Sequence, residues 1–209
     1  MTIPVYSLTA SHRDLLKHHF DTLDDAAVYL RFGHKLSRDA RRAYVEQIPF
    51  ERDALFGVFA DDLTLIGVAH LACLDTAAEL GVSVSPSQQN QGIGSALFKR
   101  AAIHARNLQI QQLQMNCLAQ NGAMMHIARK GGMQIVVEHA DADAHLELPP
   151  GTPLTLGQEF LEQEVARLDW TLKANVDYLR RSFRGARARD YGLPRKLSRQ
   201  FRPSLRNAG

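Results

Sequence analysis

The 209-residue sequence has few cysteines and no long apolar segment. Its two cysteines, Cys73 and Cys117, each lie within an apolar segment, which favours buried, reduced thiols over a disulfide framework or a metal site. The longest apolar run, residues 65–74, is interrupted by His70 and is shorter than the roughly 18 residues of a membrane-spanning helix. The N-terminus lacks the basic, apolar and small-residue order of a secretory signal, so we expect a cytoplasmic protein.

Acidic residues are missing from one long stretch of the chain. The 58 residues between Glu79 and Glu138 contain no Asp or Glu, although an average composition predicts about 6. The same stretch holds five basic residues, so it suits a polyanionic ligand; chance depletion is the alternative. The nine histidines show no metal-ligand spacing, since His18 and His19 are adjacent and diverge on a helix, and we expect no metal site.

The composition is that of one globular domain with an appendage. With 45% hydrophobic and 22% charged residues the chain can bury a core, which excludes global disorder and a disulfide-dependent miniprotein. We expect a domain over residues 1–150, an amphipathic helical appendage over 151–183 and an arginine-rich tail over 184–209. Residues 1–150 and 151–170 each carry a net charge of −3, whereas residues 171–209 carry +9, so the high isoelectric point belongs to the tail.

Hydrophobic periodicity predicts alternating strands and helices, and so an α/β or α+β domain. Capping residues, glycine pairs and proline supply the boundaries. The predicted order is a strand at 3–8, helices after Ser11 and Ser37, strands at 55–60, 65–71 and 78–84, a helix at 92–107, a strand at 108–118, a helix at 121–130 ending at Gly131-Gly132, and strands at 134–138 and 144–148.

The segment from Glu79 to Leu97 joins a strand, a small polar loop with two glycines and a helix start. Such a turn aims several backbone N–H groups and the positive end of a helix dipole at one point, where a pyrophosphate can bind. A P-loop requires Gly-Lys-Ser/Thr, which does not occur here. A dinucleotide fingerprint requires a glycine where Leu97 stands and an acid about 20 residues later, inside the acid-free stretch. Both are therefore set aside.

The remaining pattern, Gln89-x-x-Gly92-x-Gly94 after a strand, resembles the acetyl-CoA signature of the Gcn5-related N-acetyltransferases (GNAT). Residues 78–80, on the preceding strand, and residues 121–124 and 128–133, which resemble the family's second conserved block, extend the likeness over roughly residues 3–148. The run 29–32 (Tyr-Leu-Arg-Phe) and Met124 are similar to the acetyltransferase domain of bacterial protein-lysine acetyltransferases. Those enzymes usually carry additional domains, so this likeness does not make proteins the substrate.

The resemblance implies a mixed, strongly twisted sheet flanked by helices, with acetyl-CoA bound where two central parallel strands splay apart. Backbone groups of Val82 and Val84 would bind the pantetheine arm. A plain strand-to-helix turn, in which the glycines serve geometry alone, is the alternative. The pyrophosphate would be held by Gln89, Asn90, Gln91, Gly92, Ile93, Gly94 and Ser95, and the second block would contact the cofactor through Asn121.

Glu79 matches the family's frequent catalytic glutamate and is our predicted general base. An amine with a pKa near 10 is protonated at neutral pH, so a carboxylate, directly or through water, must accept a proton before attack on the thioester. The alternative is a solvent-facing or ion-paired glutamate. A backbone N–H near Val84 would stabilise the oxyanion. Many relatives protonate the thiolate with a tyrosine where this chain has Ala128. Water or a residue such as His126 would then be the proton donor here.

Beyond Pro149-Pro150, apolar residues follow a 4-3-4-3-4 spacing that predicts an amphipathic helix with a narrow stripe. The stripe would pack on its own domain or form a homodimer with the same helix of a second copy. The stripe comprises Leu161, Val165, Leu168, Leu172, Asn175 and Leu179, with Trp170 beside it.

The arginine-rich tail would remain solvated or bind nucleic acid, an acidic protein or anionic lipid. For the whole chain we expect an N-acetyltransferase acting on a small-molecule or protein amine. The alternative is a non-catalytic acyl-CoA-binding module.

Overall fold

The predicted mixture of strands and helices is confirmed in a computed structural model, which describes residues 2–190, with side chains as far as residue 180. Two short 3-10 turns, Ala10–His12 and Pro86–Gln88, accompany the main elements. These are β1 (Tyr6–Leu8), α1 (Arg13–Thr22), α2 (Asp25–Phe32), α3 (Arg38–Glu46), β2 (Ala54–Phe59), β3 (Leu65–Leu74), β4 (Ala77–Val84), α4 (Ile93–Asn107), β5 (Gln112–Leu118), α5 (Gly122–Lys130), β6 (Gln134–Glu138), β7 (Asp141–Glu147) and α6 (Pro153–Asp190).

The strands form one mixed sheet of seven in the order β1-β2-β3-β4-β5-β7-β6. Neighbouring strands are antiparallel except for β4 and β5, which are parallel. Their parallel register covers only Ala77–Glu79 of β4 against Gln112–Gln114 of β5. Beyond it β4 runs on to Val84 along β3, while β5 runs on to Leu118 along β7. The two strands therefore separate, and a gap opens between them as the family resemblance predicted.

Helix α2 was not predicted, although two local signals mark its ends. The Asp24 side chain accepts a hydrogen bond from the Ala27 N–H at 2.7 Å, and Gly33 adopts a left-handed conformation (φ 74°) after the last turn. The helix has eight residues, of which only Val28 is buried, so it lacks the repeated apolar spacing that reveals longer helices. In the sequence, only its capping residues indicate this helix.

Four predicted strands differ by three or more residues at one end from the observed ones. The first begins at Tyr6 instead of residue 3, and the strand predicted over 65–71 runs on to Leu74. The strand predicted over 108–118 begins only at Gln112, because the preceding residues form a turn in which Gln109 has a φ of 62°. The strand predicted over 144–148 is the longer β7, which begins at Asp141. Its exposed acids alternate with Ala142 and Ala144, and this weak apolar pattern concealed the start of the strand.

Each face of the sheet is covered by helices and has its own hydrophobic core. On one face the core side chains include Leu71, Leu80, Leu97, Leu113 and Met115, contributed by the central strands and α4. On the other face they include Leu16, Phe20, Val45, Leu55 and Val68, contributed by α1, α3, β2 and β3. Alternate residues of β4 therefore point to different layers: Leu80 and Val82 face α4, whereas Glu79, Gly81 and Ser83 face the first three helices.

The buried His19 joins α1 to the sheet. Its Nδ1–H donates to the Leu65 carbonyl at 3.1 Å, which leaves Nε2 to accept the Ser83 hydroxyl at 2.9 Å. Burial lowers the pKa of His19 from 6.5 to about 4, so the ring is neutral at pH 7. Both polar atoms of this completely buried ring are satisfied, and the pair sets the position of Ser83 on β4.

Helix α6 packs on α4 and β1 through a largely polar face. Arg100 of α4 is only 1% exposed, and its Nη1 donates to Glu159 of α6 at 2.9 Å. Glu159 also accepts from the Nδ1 of His104 at 2.6 Å and from Asn107. Burial opposes ionisation of Glu159, but these hydrogen bonds and the charge of Arg100 outweigh it and lower its pKa to about 2. Further along, Trp170 packs edge-on against Tyr6 and Phe59.

The opposite face of α6 is not covered by any of the residues that the structure describes. The predicted apolar stripe lies there, with Leu168 and Leu172 each 67% exposed. The stripe therefore does not pack on its own domain, and Trp170, beside it, makes the intramolecular contact instead. The exposed apolar members of the stripe are Leu161, Val165, Leu168, Leu172 and Leu179.

Other features predicted from composition can be located in part. Both thiols are free: Cys73 is buried and Cys117 is half-buried, and burial raises the pKa of each. No helix within the described residues has the length and apolar character needed to cross a membrane. The backbone of α6 includes residues 184–190 of the predicted tail, and residues 191–209 lie outside the described part of the chain.

We predict that Glu159→Ala lowers the free energy of unfolding by about 3 kcal/mol, because the buried guanidinium of Arg100 loses its close carboxylate. Since the folded pKa of Glu159 lies below its usual 4.5, its contribution is present above pH 4.5 and is lost as the pH falls towards 2. Urea denaturation at pH 7 and at lower pH measures both effects. In the control Glu164→Ala, the lost partner of the exposed Arg167 costs at most about 0.5 kcal/mol. Equal stabilities of the two variants would contradict the prediction.

Candidate active site

A cavity of about 520 Å³ occupies the gap between β4 and β5. Its walls come from α2, the end of β4, the following loop, the start of α4 and the start of α5. Of the described residues that line it, none is acidic, while Arg31, His126 and Lys130 are basic. The acid-free stretch of sequence therefore becomes an acid-free cavity, which suits an anionic ligand. The lining includes Val82, Ser83, Val84, Gln89, Asn90, Gly92, Ile93, Gly94, Ser95 and Asn121.

The loop after β4 ends at the N-terminus of α4 in a conformation that requires glycine. Gly92 has a φ of 84°, and Asn90 before it has a φ of 61°. The first hydrogen bond of the helix runs from the Ala96 N–H to the Gly92 carbonyl, so the N–H groups of the first turn are left for other acceptors. With the helix dipole, they form an anion-binding N-terminus at the mouth of the cavity.

Gly94 lets α4 approach α5 closely. A Cβ atom at this position would lie 2.7 Å from Cδ1 of Ile127, which lines the same cavity. The second glycine of the signature therefore serves packing between the two helices as well as access to the backbone of the first turn.

Asn121 joins the second conserved block to α2. Its side-chain oxygen accepts from the Met124 N–H at 3.1 Å and caps α5, and its Nδ2 donates to the Leu30 carbonyl at 3.2 Å. The residue is only 6% exposed, so these two bonds satisfy most of its polar capacity. Ala128, one turn before the end of the same helix, is buried in the core, and no hydroxyl stands where many relatives have tyrosine.

Glu79 is exposed at the point where the parallel register ends. It lies on the face of β4 that points to the first three helices, and it does not line the cavity itself. Its negative charge is a minor influence on the pKa of Tyr44, which burial raises, and on the pKa of His70, which burial lowers, so its carboxylate lies within electrostatic range of both. The cavity reaches this face of β4 through Arg31 and Ser83, and its described lining stops short of Glu79.

A row of hydrogen-bonded side chains beside Glu79 was missed by the sequence reasoning. The Tyr44 hydroxyl and Nδ1 of His70 are 2.6 Å apart, Nε2 of His70 lies 2.9 Å from Asp53, and Nη2 of Arg31 lies 3.3 Å from the Tyr44 oxygen. His70 is paired with Gly81 across β3 and β4, at the floor of this region. The four residues come from four elements or loops, and no spacing in the sequence links them.

Burial controls the ionisation of this row. It raises the pKa of Tyr44 and lowers the pKa of His70, so both side chains are neutral at pH 7. Burial also opposes ionisation of Asp53, but hydrogen bonds from Arg52, His70 and the Cys73 N–H outweigh it and lower the pKa of Asp53. A carboxylate at one end and the Arg31 guanidinium at the other therefore flank a neutral Tyr–His pair.

The structure brings most of the predicted site residues together. Val82, Val84 and Asn121 line the cavity, as do the loop residues of the signature except Gln91, which is exposed beside it. Glu79 lies outside the lining, close to the end of the β4–β5 register. Among the residues that the structure describes, no cluster of His, Cys, Asp or Glu has the arrangement of a metal site.

A family model described as the acetyltransferase (GNAT) domain matches residues 6–134. This is more than half of the chain, and the splayed sheet, glycine loop and acid-free cavity agree with it. The fold and site define an acyltransferase that uses acetyl-CoA as co-substrate. The chain belongs to the GNAT acetyltransferase family, as the sequence resemblance predicted.

Solved structures of similar fold cover most of the chain. The GNAT domain of S. lividans PAT, a bacterial protein acetyltransferase, has 17% identity and a TM-score of 0.60, covering 71% of this chain and 95% of that one. A phosphinothricin acetyltransferase from Sinorhizobium meliloti with acetyl-CoA has 16% identity and a TM-score of 0.58, with coverage of 73% and 91%. Spermidine N-acetyltransferase from Vibrio cholerae has 16% identity and a TM-score of 0.56, with coverage of 70% and 95%. Comparison with curated protein sequences finds no significant match.

We predict that Asn121→Ala lowers the free energy of unfolding by about 1 to 2 kcal/mol, because α5 loses its cap and α2 loses a bond to α5. Asn121→Ser retains a capping oxygen but cannot reach Leu30, so about half of the loss should be recovered. Urea denaturation of the three proteins measures the difference. A stability of Asn121→Ala equal to that of the wild type would contradict the assigned role.

Proposed function

We propose that the protein transfers an acetyl group from acetyl-CoA to an amine by direct attack on the thioester, with Glu79 as the general base. The observation that carries this proposal is the position of Glu79 at the last residue of β4 that pairs with β5, where the gap proposed for the co-substrate begins. The cavity supplies groups for the co-substrate beyond this point of the strand, and Glu79 lies just outside its lining.

The residues present fit acetyl-CoA along the length of the cavity. The edge of β4 beyond Glu79 has left β5, so backbone groups near Val82 and Val84 are available to the pantetheine arm. The free N–H groups at the start of α4 and the loop residues 89–95 suit the pyrophosphate. Because the described lining contains no acid, no carboxylate repels the phosphates.

The chemical step follows from the same placement. Glu79 accepts a proton from the ammonium group, directly or through water, and the amine nitrogen then attacks the carbonyl carbon of the thioester. A backbone N–H near Val84 donates to the oxyanion of the tetrahedral intermediate. The C–S bond breaks, the CoA thiolate leaves, and the second proton lost by the nitrogen passes to the thiolate. A thiol with a pKa of about 8.5 is a tolerable leaving group, so water or His126, which lines the cavity, suffices where Ala128 replaces the tyrosine of many relatives.

The acceptor is an amine in the relatives whose names state one. They include a spermidine N-acetyltransferase and a ribosomal-protein-alanine N-acetyltransferase. The chain therefore acts on a small-molecule or protein amine in this proposal. The competing function is an acyl-CoA-binding module without catalysis whose arginine-rich tail engages nucleic acid or an acidic partner.

Glu79→Gln is expected to lower the rate of acetyl transfer by about 100-fold or more, because general-base catalysis contributes at least this factor. Its affinity for acetyl-CoA should stay within about threefold of the wild type, since Glu79 does not line the cavity. A thiol-release assay with a panel of amines measures the rate, and calorimetric titration measures binding. Glu138→Gln, an exposed strand glutamate on β6, is the control and should retain full activity.

Two outcomes would count against the proposal. An unchanged rate for Glu79→Gln would contradict the assignment of Glu79 as general base but would leave the transferase activity in place. Tight binding of acetyl-CoA by the wild-type protein with no thiol release on any amine would favour the binding module.

We also propose that the exposed stripe of α6 pairs with α6 of a second copy in antiparallel orientation. The stripe follows the alternating spacing of four and three residues that is typical of coiled-coil seams, and its leucines are 53–67% exposed. Residues 151–170 carry a net charge of −3 and residues 171–209 carry +9, so antiparallel pairing sets each basic half against the partner's acidic half. Parallel pairing would oppose like charges.

The substitutions Leu168→Glu and Leu172→Glu, made together, should convert a dimer into a monomer, because they place charges in the buried seam. Light scattering coupled to size-exclusion chromatography measures the mass. Thr171→Glu, exposed on the same turn but outside the stripe, is the control and should remain dimeric. A monomeric wild-type protein at about 50 µM would contradict the pairing.

A further inference from the structure

Arg31 of α2 holds its guanidinium against the backbone of β4. A Cβ atom at Gly81 would overlap the terminal atoms of this guanidinium, so only glycine leaves room for it. The guanidinium also lies over the Phe32 ring, with its carbon 5.0 Å from the ring centroid. Arg31 lines the cavity and is partly exposed there.

A rigid row of side chains holds this guanidinium in place. Tyr44 accepts a hydrogen bond from Arg31 and donates its own proton to Nδ1 of His70, whose Nε2–H donates to Asp53. Asp53 is anchored in turn by the Cys73 N–H at 3.2 Å. The hydroxyl of Tyr44 can serve as an acceptor for Arg31 because its proton is used by His70.

The positive charge of Arg31 has no carboxylate partner within residues 2–180. Its hydrogen bond to Tyr44 uses one of five N–H groups. The other partly buried arginines are compensated: Arg100 pairs with Glu159, and Arg13 and Arg41 each donate to backbone carbonyls. A partly buried guanidinium with open donors at the wall of a cavity is suited to bind a carboxylate in a bidentate pair.

The position of Arg31 separates it from the phosphate site. Gly81, which it covers, lies three residues before Val84, or about 10 Å along the strand, and the loop follows Val84. In the other direction, Glu79 lies two residues from Gly81 on the same face, or about 7 Å away. An anion on Arg31 is therefore a neighbour of the proposed base and not of the pyrophosphate.

We propose that Arg31 binds a carboxylate of the acceptor, and that the acceptor is an amino acid or a similar amine with its carboxylate a few bonds from the nitrogen. This inference rests on the proposed transferase function. The carboxylate on Arg31 places the amine towards Glu79, because the two groups lie on the same face of β4. Tyr44 is a positioning residue that orients the guanidinium.

The test compares acceptors that differ only in the carboxylate. Thiol-release rates are measured with L-amino acids, with their amides and with the corresponding decarboxylated amines. The wild-type protein should favour the amino acids in kcat/KM by about 10- to 100-fold, the factor that charged hydrogen bonds provide. Equal rates with amides or decarboxylated amines, or a preference for a polyamine, would overturn the carboxylate site and leave the transferase intact.

Variants assign the preference to Arg31. Arg31→Gln should raise KM for the amino acid by about 10- to 100-fold and remove the discrimination between acid and amide, whereas its affinity for acetyl-CoA should fall by a smaller factor, because Arg31 also lines the cavity. Arg31→Lys, which keeps the charge without the bidentate fork, should recover part of the discrimination. Tyr44→Phe should raise KM by a smaller factor with kcat little changed. Arg38→Gln, an exposed arginine of α3, is the control and should match the wild type.

A binding measurement separates this inference from the proposed function. The complex with CoA is titrated with an N-acetyl amino acid and with its amide. Binding of the acid that depends on Arg31, without turnover of any amine, would sustain the carboxylate site and overturn the transferase. Absence of Arg31-dependent binding, together with turnover of uncharged amines, would overturn the carboxylate site and sustain the transferase.

Discussion

The register between β4 and β5 ends at Glu79, and the architecture of the site depends on this early end. Had the two parallel strands stayed paired to Val84, the backbone edge of β4 would be used within the sheet. Because they diverge, that edge needs other hydrogen-bonding partners, and a cavity opens beside it. The loop, the start of α4 and the start of α5 close the cavity on the remaining sides.

The two faces of β4 differ in character, one being apolar and the other carrying polar contacts. The face towards α4 is apolar at Leu80 and Val82 and belongs to the core that supports the cavity. The other face presents Glu79, Gly81 and Ser83, each beside a polar partner supplied by the first three helices or by β3. Ser83 is bound by His19, and Gly81 is covered by Arg31. Alternation along one strand thus places the apolar support of the cavity and these polar groups within a few residues of each other.

Two arginines of the structure differ in how their charge is compensated: Arg100 lies between α4 and α6, and Arg31 lies at the cavity. Arg100 is neutralised by Glu159, and this pair holds α6 on α4, so its contribution is to packing. Arg31 has the same chemical group, but its partners among the described side chains are the Tyr44 phenol and the Phe32 ring, neither of which carries a charge. A cation left without a counter-charge at a cavity wall costs stability, and a ligand anion would remove that cost. The difference between the two arginines points to a binding role for Arg31.

Local sequence was sufficient for the features that depend on local physics. The glycine loop, the caps at Ser37 and Asn121, and most strands and helices follow from residue preferences over a few positions, and the family signature located the cavity residues. Asp24 and Gly33 carried signals for α2 as well, but a helix with one buried residue has no apolar period to support them. The row from Arg31 to Asp53 could not be predicted, because its members come from separate elements and meet only when α2, α3 and β3 pack together. Likewise, sequence determined that α6 has an apolar stripe, but only the tertiary structure decided that the stripe faces outward, since the buried pairing of Arg100 with Glu159 selects the opposite face for the domain.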